Sequence, residues 1–298
     1  MNWEAARASW PNAAHSRFVD AAPHRWHVQE AGAGPCLLLL HGAGASTHSW
    51  SRLLPDLARD FHVVAPDLPG QGFTRSGSRD RCGLAEMAAD IARLLAHEGI
   101  APEIIVGHSA GAAIGLRLAL DLPARPRAVV CFNAALEAFR GPAGVAFPAL
   151  AQALAMTPLP AFAFSRAARL PGTVRKAIAS TGSTIDGAGL DLYRRLLTDA
   201  GHVDATLRMM ANWRLGELAR DLPRLEIPTL FVVGAGDRAV PPDISRRAAR
   251  RIPGARVEVL PSLGHLLHEE APETAARLVR AFLAQGPGRT GVSSGARA

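Results

Sequence analysis

Short runs of strand-forming residues recur along the chain and alternate with longer stretches in which apolar residues return at helical spacing. The runs predicted as strands are residues 25–30, 35–40, 62–65, 103–106, 128–133, 228–233 and 256–260. The main stretches predicted as helices are residues 84–98, 110–122 and 272–284. Residues 35–40 are apolar almost throughout, as expected of a strand covered on both faces. The alternation predicts an α/β fold with a mostly parallel central sheet and helices on both faces.

The alternation stops between residues 135 and 214, where the sequence is helical in character and rich in Ala, Leu, Phe and Met. An insertion between two strands lies over the carboxyl edge of the sheet, where ligands bind in open α/β sheets. We predict four segments: a core domain over residues 1–134, a helical lid over 135–214, the rest of the core over 215–284, and a disordered tail over 285–298. Residues 141–164 carry no charge, but four prolines interrupt them, which favours a lid that lines an apolar pocket over a membrane span. Shallow contact with a membrane surface is the alternative.

Composition narrows the class of protein. With 48% hydrophobic and 20% charged residues among 298, the chain can bury a substantial core. The formal net charge of +7 comes mostly from scattered arginines, without the basic stripe and interleaved aromatics of a nucleic-acid surface. Cys36, Cys82 and Cys131 are odd in number and far apart, which favours a reducing compartment and no disulfide or metal site. The first 18 residues lack the apolar segment of a secretion signal, so we expect a cytoplasmic protein.

The sequence Gly107-His108-Ser109-Ala110-Gly111 follows a predicted strand and opens a predicted helix, which is the context of a nucleophile elbow. A serine at so sharp a turn adopts a strained backbone conformation. A side chain at Gly107 or Gly111 would collide with the neighbouring strand or helix. Ser109 is therefore the predicted nucleophile.

A serine nucleophile needs a general base, an acid that orients the base, and a site for the developing negative charge. Asp237 follows the predicted strand 228–233, and His265 follows the predicted strand 256–260, which gives the chain order Ser, Asp, His. Asp237 is the predicted acid and His265 the predicted base. Glu137 is the rival acid and ranks lower, because it lies at the entrance to the lid.

The oxyanion hole is predicted to consist of the backbone N–H groups of Ala43 and Ala110, one in the loop after residues 35–40 and the other directly after the nucleophile. His41 lies beside the same pocket and is interpreted chiefly as a brace of that loop. Three further histidines near these motifs are interpreted as structural: His48, His108 and His268. The chemistry requires no metal or organic cofactor.

Several motifs together resemble the α/β-hydrolase fold superfamily over about residues 25–284. They are Gly107-His108-Ser109-Ala110-Gly111, the His41-Gly42 loop, Asp67-Leu68-Pro69-Gly70, Gly236-Asp237 and Gly264-His265. Lid motifs add a more specific resemblance, to the magnesium-chelatase accessory hydrolases of bacteriochlorophyll biosynthesis. They are Thr181-Gly182-Ser183, Leu192-Tyr193, Gly201-His202-Val203 and Met209-Met210-Ala211-Asn212-Trp213. Gln71 departs from that family, where His is common, and this affects no predicted catalytic role.

The resemblance implies a cytoplasmic enzyme or accessory factor that handles a large, flat, apolar tetrapyrrole. We interpret the chain as a lidded serine hydrolase that cleaves an ester of such a compound. The alternatives are a porphyrin-binding accessory or delivery protein for magnesium chelatase, a generic carboxylesterase, a C–C bond hydrolase and a cofactor-free peroxidase. The expected partners are a porphyrin, with transient contact to magnesium chelatase or a membrane surface, and no nucleic acid.

Apolar lid side chains are predicted to form a slot for the flat ring, because Met is adaptable and aromatic faces stack on planar systems. The residues predicted to contact substrate are His41, Phe147, Tyr193, Met209, Met210 and Trp213. Two further hypotheses place His202 on a ring-bound magnesium and Arg140 on a propionate carboxylate.

Overall fold

Eight strands form one sheet in the computed structural model, which describes residues 1–137, 157 and 159–285. The strands are β1 (Ser16–Ala21), β2 (His24–Ala31), β3 (Cys36–Leu40), β4 (His62–Pro66), β5 (Ile104–His108), β6 (Ala128–Phe132), β7 (Thr229–Gly234) and β8 (Arg256–Leu260). Their spatial order is β1-β2-β4-β3-β5-β6-β7-β8. The neighbouring pairs among β3 to β8 are parallel, whereas β1 and β2 form an antiparallel edge. The predicted mostly parallel sheet is confirmed.

Helices cover both faces of this sheet. Those of the described chain are α1 (Trp3–Ala6), α2 (Leu53–Leu57), α3 (Leu84–His97), α4 (Ala110–Asp121), α5 (Leu159–Ala167), α6 (Thr173–Ser180), α7 (Gly187–Leu197), α8 (Ala200–Ala211), α9 (Gly216–Asp221), α10 (Pro242–Ala249), α11 (Leu267–Glu270) and α12 (Pro272–Ala284). Single 3-10 turns occupy Arg7–Ser9, Ala13–His15, Thr47–Trp50 and Leu222–Arg224. Helices α3, α4 and α10 pack on one face of the sheet, and α2 and α12 pack on the other.

Strand β3 shows why both faces must be covered. Its side chains alternate in direction, so Leu38 and Leu40 join the core beneath α3 and α4, while Leu37 and Leu39 join the core beneath α2 and α12. All four leucines are fully buried. Burying each leucine stabilises the fold by about 1.5–3 kcal/mol. This stabilisation would be lost for the leucines on any face of the sheet that was left exposed to solvent. The leucine run therefore requires a three-layer arrangement.

The predicted strand and helix boundaries agree with the structure to within a few residues, but the first strand was missed. Strand β1 pairs antiparallel with β2 at the sheet edge. Val19 and Ala21 are buried, whereas Asp20 between them is exposed. Because only one face of this edge strand is covered, β1 lacks the long apolar run that marks the central strands.

The helical insertion lies between β6 and β7, as predicted, and its described residues include α5 to α8. Lid and core share an apolar cluster, formed by Val174, Ile178, Leu190 and Tyr193 of the insertion with Ala45 and Leu266 of the core. Helix α9 follows the insertion and packs on α4. In the described chain, no helix is both long and apolar enough to cross a membrane. The predicted disordered tail, apart from its first residue, lies outside the described residues.

Candidate active site

Ser109 occupies the sharp turn between β5 and α4, with φ 53° and ψ −115°. The glycines on either side have the role that the sequence suggested. A Cβ on Gly107 would lie 2.5 Å from Cα of Ala112, and a Cβ on Gly111 would lie 2.1 Å from the carbonyl oxygen of Leu40. Neither position tolerates a side chain, so the strand and the helix approach closely enough to hold Ser109 at the tip of the turn.

The side chains of Ser109, Asp237 and His265 form one hydrogen-bonded chain. His265 Nε2 lies 3.1 Å from Ser109 Oγ, and His265 Nδ1 lies 2.7 Å from Asp237 Oδ2. The other carboxylate oxygen of Asp237 accepts the backbone N–H groups of Ala239 and Val240, each at 2.8 Å. With an ionised carboxylate facing Nδ1, the imidazole carries its proton on that nitrogen and presents a lone pair to the serine hydroxyl.

Glu137, the rival acid, is engaged elsewhere. Its carboxylate accepts two hydrogen bonds from the guanidinium of Arg247 on α10, at 2.6 and 2.8 Å. The carboxylate next to His265 is that of Asp237. The lower rank of Glu137 therefore agrees with the geometry.

Asn133 holds the loop that carries His265, and the sequence analysis did not identify it. Its Nδ2 donates to the carbonyl oxygens of Gly264, at 2.9 Å, and His265, at 2.7 Å, while its Oδ1 accepts the N–H of Gly234 at 2.9 Å. Asn133 has a φ of 44°, a conformation that Asn tolerates better than most residues. Its place directly after β6, at the carboxyl edge of the sheet, was the signal available in the sequence.

The two predicted oxyanion-hole amides belong to segments that adjoin Ser109. A Cβ on Gly42 would lie 3.1 Å from Cβ of Ser109, so the loop that contains Ala43 passes directly beside the serine. Ala110 is the first residue of α4, where backbone N–H groups have no partner within the helix. Within the described residues, neither the N–H of Ala43 nor that of Ala110 donates a hydrogen bond. Both remain available to an oxygen of a bound substrate.

Residues 35–272 match the family described as alpha/beta hydrolase fold. The chain belongs to this family. A magnesium-chelatase 30 kDa subunit from Rhodobacter capsulatus is 43% identical over 285 residues, which are 95% of this chain and 99% of that protein. A pyrrolizixenacetamide deacetylase from Xenorhabdus hominickii is 30% identical over 253 residues, 85% of this chain and 92% of that protein. A putative lipase structure from Acinetobacter baumannii, with a TM-score of 0.77, 21% identity and 96% coverage of each chain, supports the fold.

These findings confirm both resemblances drawn from the motifs. The structure also shows which contacts the first of the lid motifs makes. The segment Thr181-Gly182-Ser183 is wedged between the loops that carry the acid and the base. The carbonyl oxygen of Thr181 accepts the N–H of Arg238 at 3.0 Å, and Ser183 Oγ accepts the N–H of Leu266 at 2.8 Å. A Cβ on Gly182 would lie 1.9 Å from the carbonyl oxygen of Gly236. The lid therefore forms part of the scaffold of the site.

His202 connects lid helix α8 to the oxyanion-hole loop. Its Nε2 donates to the carbonyl oxygen of Gly44 at 3.1 Å, and its Nδ1 accepts the N–H of Gly72 at 3.1 Å. Gln71 Oε1 accepts the N–H of Gly44 at 2.8 Å. Both the N–H and the carbonyl group of Gly44 are therefore held by hydrogen bonds. Burial lowers the pKa of His202 to about 4, and the ring is neutral near pH 7. The hypothesis that His202 binds a ring-bound magnesium is wrong, because both ring nitrogens are occupied.

His41 is also a brace, and its predicted contact with substrate is wrong. Its Nδ1 donates to the carbonyl oxygen of Gly42 at 2.8 Å, and its Nε2 accepts the N–H of Leu68 at 2.9 Å. The side chain has no exposed surface. Burial lowers its pKa, so it holds these bonds as a neutral ring.

The predicted ring-binding slot is only partly compatible with the structure. Met209 is buried in the core, where Gln71 Nε2 lies 3.2 Å from its sulfur, and Tyr193 is buried against the ring of His48. These two residues are packing residues. Met210 and Trp213 are half-buried and keep exposed surface. Phe147 and Arg140 lie outside the described residues.

A buried polar cluster lies beside the base loop. Glu269 accepts hydrogen bonds from the hydroxyls of Ser49 and of Tyr193, the latter at 2.7 Å, and His268 Nε2 donates to Ser49 Oγ at 2.9 Å. Burial raises the pKa of Glu269 to about 7 and lowers that of His268 to about 3. In the described part of the chain, no group of His, Cys, Asp or Glu is arranged to hold a metal ion.

We predict that Gly111→Ala destabilises the protein by about 1–3 kcal/mol, because the added methyl group would overlap the carbonyl oxygen of Leu40. Thermal or denaturant unfolding measures the change. Gly216→Ala is the matched control, since a Cβ there meets nothing within 4 Å. A Gly111→Ala variant as stable as the wild type would contradict the close packing at the elbow.

We predict that Glu269→Gln removes a pH dependence of stability. In the wild type, the native pKa of about 7 exceeds the ordinary value of 4.5, so the folded state retains a proton that the unfolded chain releases. Stability should therefore fall as the pH rises from 4.5 to about 7 and then level off. Gln can accept both hydroxyl hydrogen bonds without this loss.

Thermal unfolding between about pH 5 and about pH 8 tests the effect. Relative to the wild type, the Glu269→Gln variant should gain stability toward the upper end of that range. Glu258→Gln, which changes an exposed carboxylate, is the control and should follow the wild type. Parallel curves for the wild type and Glu269→Gln would show that Glu269 is ionised throughout.

Proposed function

We propose that the chain is a serine hydrolase in which Ser109, His265 and Asp237 act as nucleophile, general base and orienting acid. The observation that carries this proposal is the hydrogen-bonded chain from Ser109 through His265 to Asp237, with distances of 3.1 and 2.7 Å. Ser109 stands at an elbow that two glycines make sterically feasible. The family to which the chain belongs also supports hydrolysis.

The reaction follows from this geometry. Ser109 Oγ attacks an ester carbonyl while His265 Nε2 takes its proton, and Asp237 stabilises the imidazolium. The negative charge on the former carbonyl oxygen is met by the N–H groups of Ala43 and Ala110. His265 then protonates the leaving alcohol, and the acyl-enzyme remains on Ser109. Water, deprotonated by His265, releases the acid and restores the serine.

The proposed substrate class is a tetrapyrrole ester. Its support is the 43% identity to a magnesium-chelatase 30 kDa subunit over nearly the full length of both chains. The apolar composition of the lid also supports this class, and Met210 and Trp213 are the described candidates that keep exposed surface. A flat ring can stack on the indole and be covered by the adaptable thioether.

A second candidate function is that of a porphyrin-binding accessory protein for magnesium chelatase, in which ester cleavage is absent. The observation that favours it is the same relative, which is described as a subunit of the chelatase. The two functions differ in the fate of a bound ester. The hydrolase releases an acid, whereas the accessory protein returns its ligand unchanged.

We predict that Ser109→Ala and His265→Ala each reduce ester turnover by about 10³-fold or more, without additivity, because the triad acts as a unit. Asp237→Asn should cost up to about 10⁴-fold, since the imidazole loses its preferred tautomer. A serine-directed phosphonate should label Ser109 alone. Ser245→Ala, which removes a buried hydroxyl on α10, is the control and should keep full activity. Wild-type turnover in Ser109→Ala would refute the mechanism.

We predict that the wild type converts magnesium-porphyrin methyl esters to acids, and that Ser109→Ala binds them without turnover. Mass spectrometry follows the product, and quenching of porphyrin fluorescence follows binding. Met210→Ala and Trp213→Ala should weaken binding while melting within a few degrees of the wild type. Porphyrin binding without turnover in the wild type would favour the accessory function. Turnover of simple acyl esters without porphyrin binding would favour a generic esterase.

A further inference from the structure

The large apolar side chains that are mostly exposed in the described chain are confined to one stretch of the lid. They are Leu159 (72% exposed), Phe162 (53%), Phe164 (54%) and Leu170 (63%). Elsewhere in the described chain, the Val, Ile, Leu, Met, Phe, Tyr and Trp side chains are buried or half-buried. We call these four residues the apolar lid surface. Clustered exposure of this kind marks a surface that meets another apolar phase.

The packing of α5 explains why these residues face outward. Helix α5 lies against α8, and its buried residues are the small Ala161 and Ser165. Small residues allow the two helices to approach, and they leave Phe162 and Phe164 on the remaining faces of α5. Leu170 follows directly in the turn before α6, whose own buried residues are Val174 and Ile178. The large apolar side chains of α5 and Leu170 therefore remain exposed.

The charge around the apolar lid surface has one sign. Residues 159–185 contain no Asp or Glu, whereas they contain four exposed cations: Arg166, Arg169, Arg175 and Lys176. In the described chain no carboxylate pairs with any of the four, although other arginines such as Arg81 and Arg117 are paired with aspartates. The guanidinium of Arg166 lies over the ring of Phe162, 5.4 Å from its centroid. Protruding apolar groups and unneutralised cations thus occur together.

We propose that the apolar lid surface docks the protein on an anionic lipid bilayer. Phe162, Phe164 and the neighbouring leucines enter the boundary between headgroups and acyl chains, and the four cations meet lipid phosphates. An acidic protein groove is the competing occupant. The bilayer is favoured because exposed Phe and Leu side chains beside Arg and Lys, in a stretch without Asp or Glu, are typical of a helix that lies in a membrane interface. This inference is independent of whether the triad hydrolyses esters.

The test is flotation of the purified full chain with two kinds of vesicles, one of phosphatidylcholine alone and one of phosphatidylcholine mixed with phosphatidylglycerol. The wild type should float with the anionic vesicles and bind neutral ones far more weakly. The double variant Phe162→Ser/Phe164→Ser should lose about tenfold or more in binding. The double variant Arg166→Gln/Arg169→Gln should bind anionic vesicles about fivefold more weakly for each charge removed. Its binding should also depend less on salt concentration.

Arg250→Gln/Arg251→Gln is the matched control, because it removes two exposed charges far along the chain from the lid. It should bind anionic vesicles as the wild type does. Because the substituted side chains are exposed, all variants should melt near the wild-type temperature. The proposal is overturned if the wild type stays off anionic vesicles. It is also overturned if the phenylalanine variant binds as the wild type does, or if the control pair loses as much as the lid pair.

Discussion

The contact between Gly111 and the end of β3 is the constraint on which the site depends. Because Gly111 has no side chain, α4 begins against the carbonyl groups of Leu40 and His41. This approach sets the position of Ser109 and of the first residue of α4, Ala110. The same approach brings Gly42 next to the serine. Nucleophile and both amides are therefore positioned by one packing contact between a helix and a strand.

Four buried histidines that support this arrangement are uncharged near pH 7. Burial lowers the pKa of His41 and of His108, and it lowers the pKa of His202 to about 4 and that of His268 to about 3. These rings hold loops through hydrogen bonds as neutral imidazoles. Neutral rings cost less to bury than ions, and their bonds do not change with pH near neutrality. These four histidines therefore keep the same charge near pH 7, whereas burial raises the pKa of Glu269 to about 7.

Local patterns in the sequence were enough to predict seven of the eight strands and to select the three side chains of the proposed triad. Ser109, Asp237 and His265 each follow a strand together with a glycine, and the parallel sheet brings those strand ends to one edge. The supporting residues have no such local signal. Asn133 contacts partners about 100 and 130 residues away in the sequence, and the partners of His202 are about as distant. Such residues become visible only in the folded structure.

Apolar lid residues posed a different difficulty, because periodicity does not distinguish a side chain that packs into the core from one that lines a pocket. Tyr193 and Met209 fit both descriptions in the sequence, and the structure assigns them to packing.

The lid helices that carry these residues also limit how a substrate can enter. Helices α7 and α8 carry Tyr193 and His202, which hold Glu269 and the oxyanion-hole loop. The segment before α7 is wedged between the acid and base loops.

An opening that lifted α6, α7 and α8 together would therefore break hydrogen bonds to three loops. These are the loops that carry Asp237, His265 and Ala43. Such an opening would release Gly44, and with it the loop that carries Ala43, from His202, and it would free the loop of His265 from Ser183. Helix α5 differs, because it packs on α8 and makes no hydrogen bond to the catalytic loops among the described residues. A displacement of α5 would therefore leave these hydrogen bonds intact. In the described part of the lid, α6 to α8 support the proposed catalytic geometry, whereas α5 can adapt to a ligand without loss of those contacts.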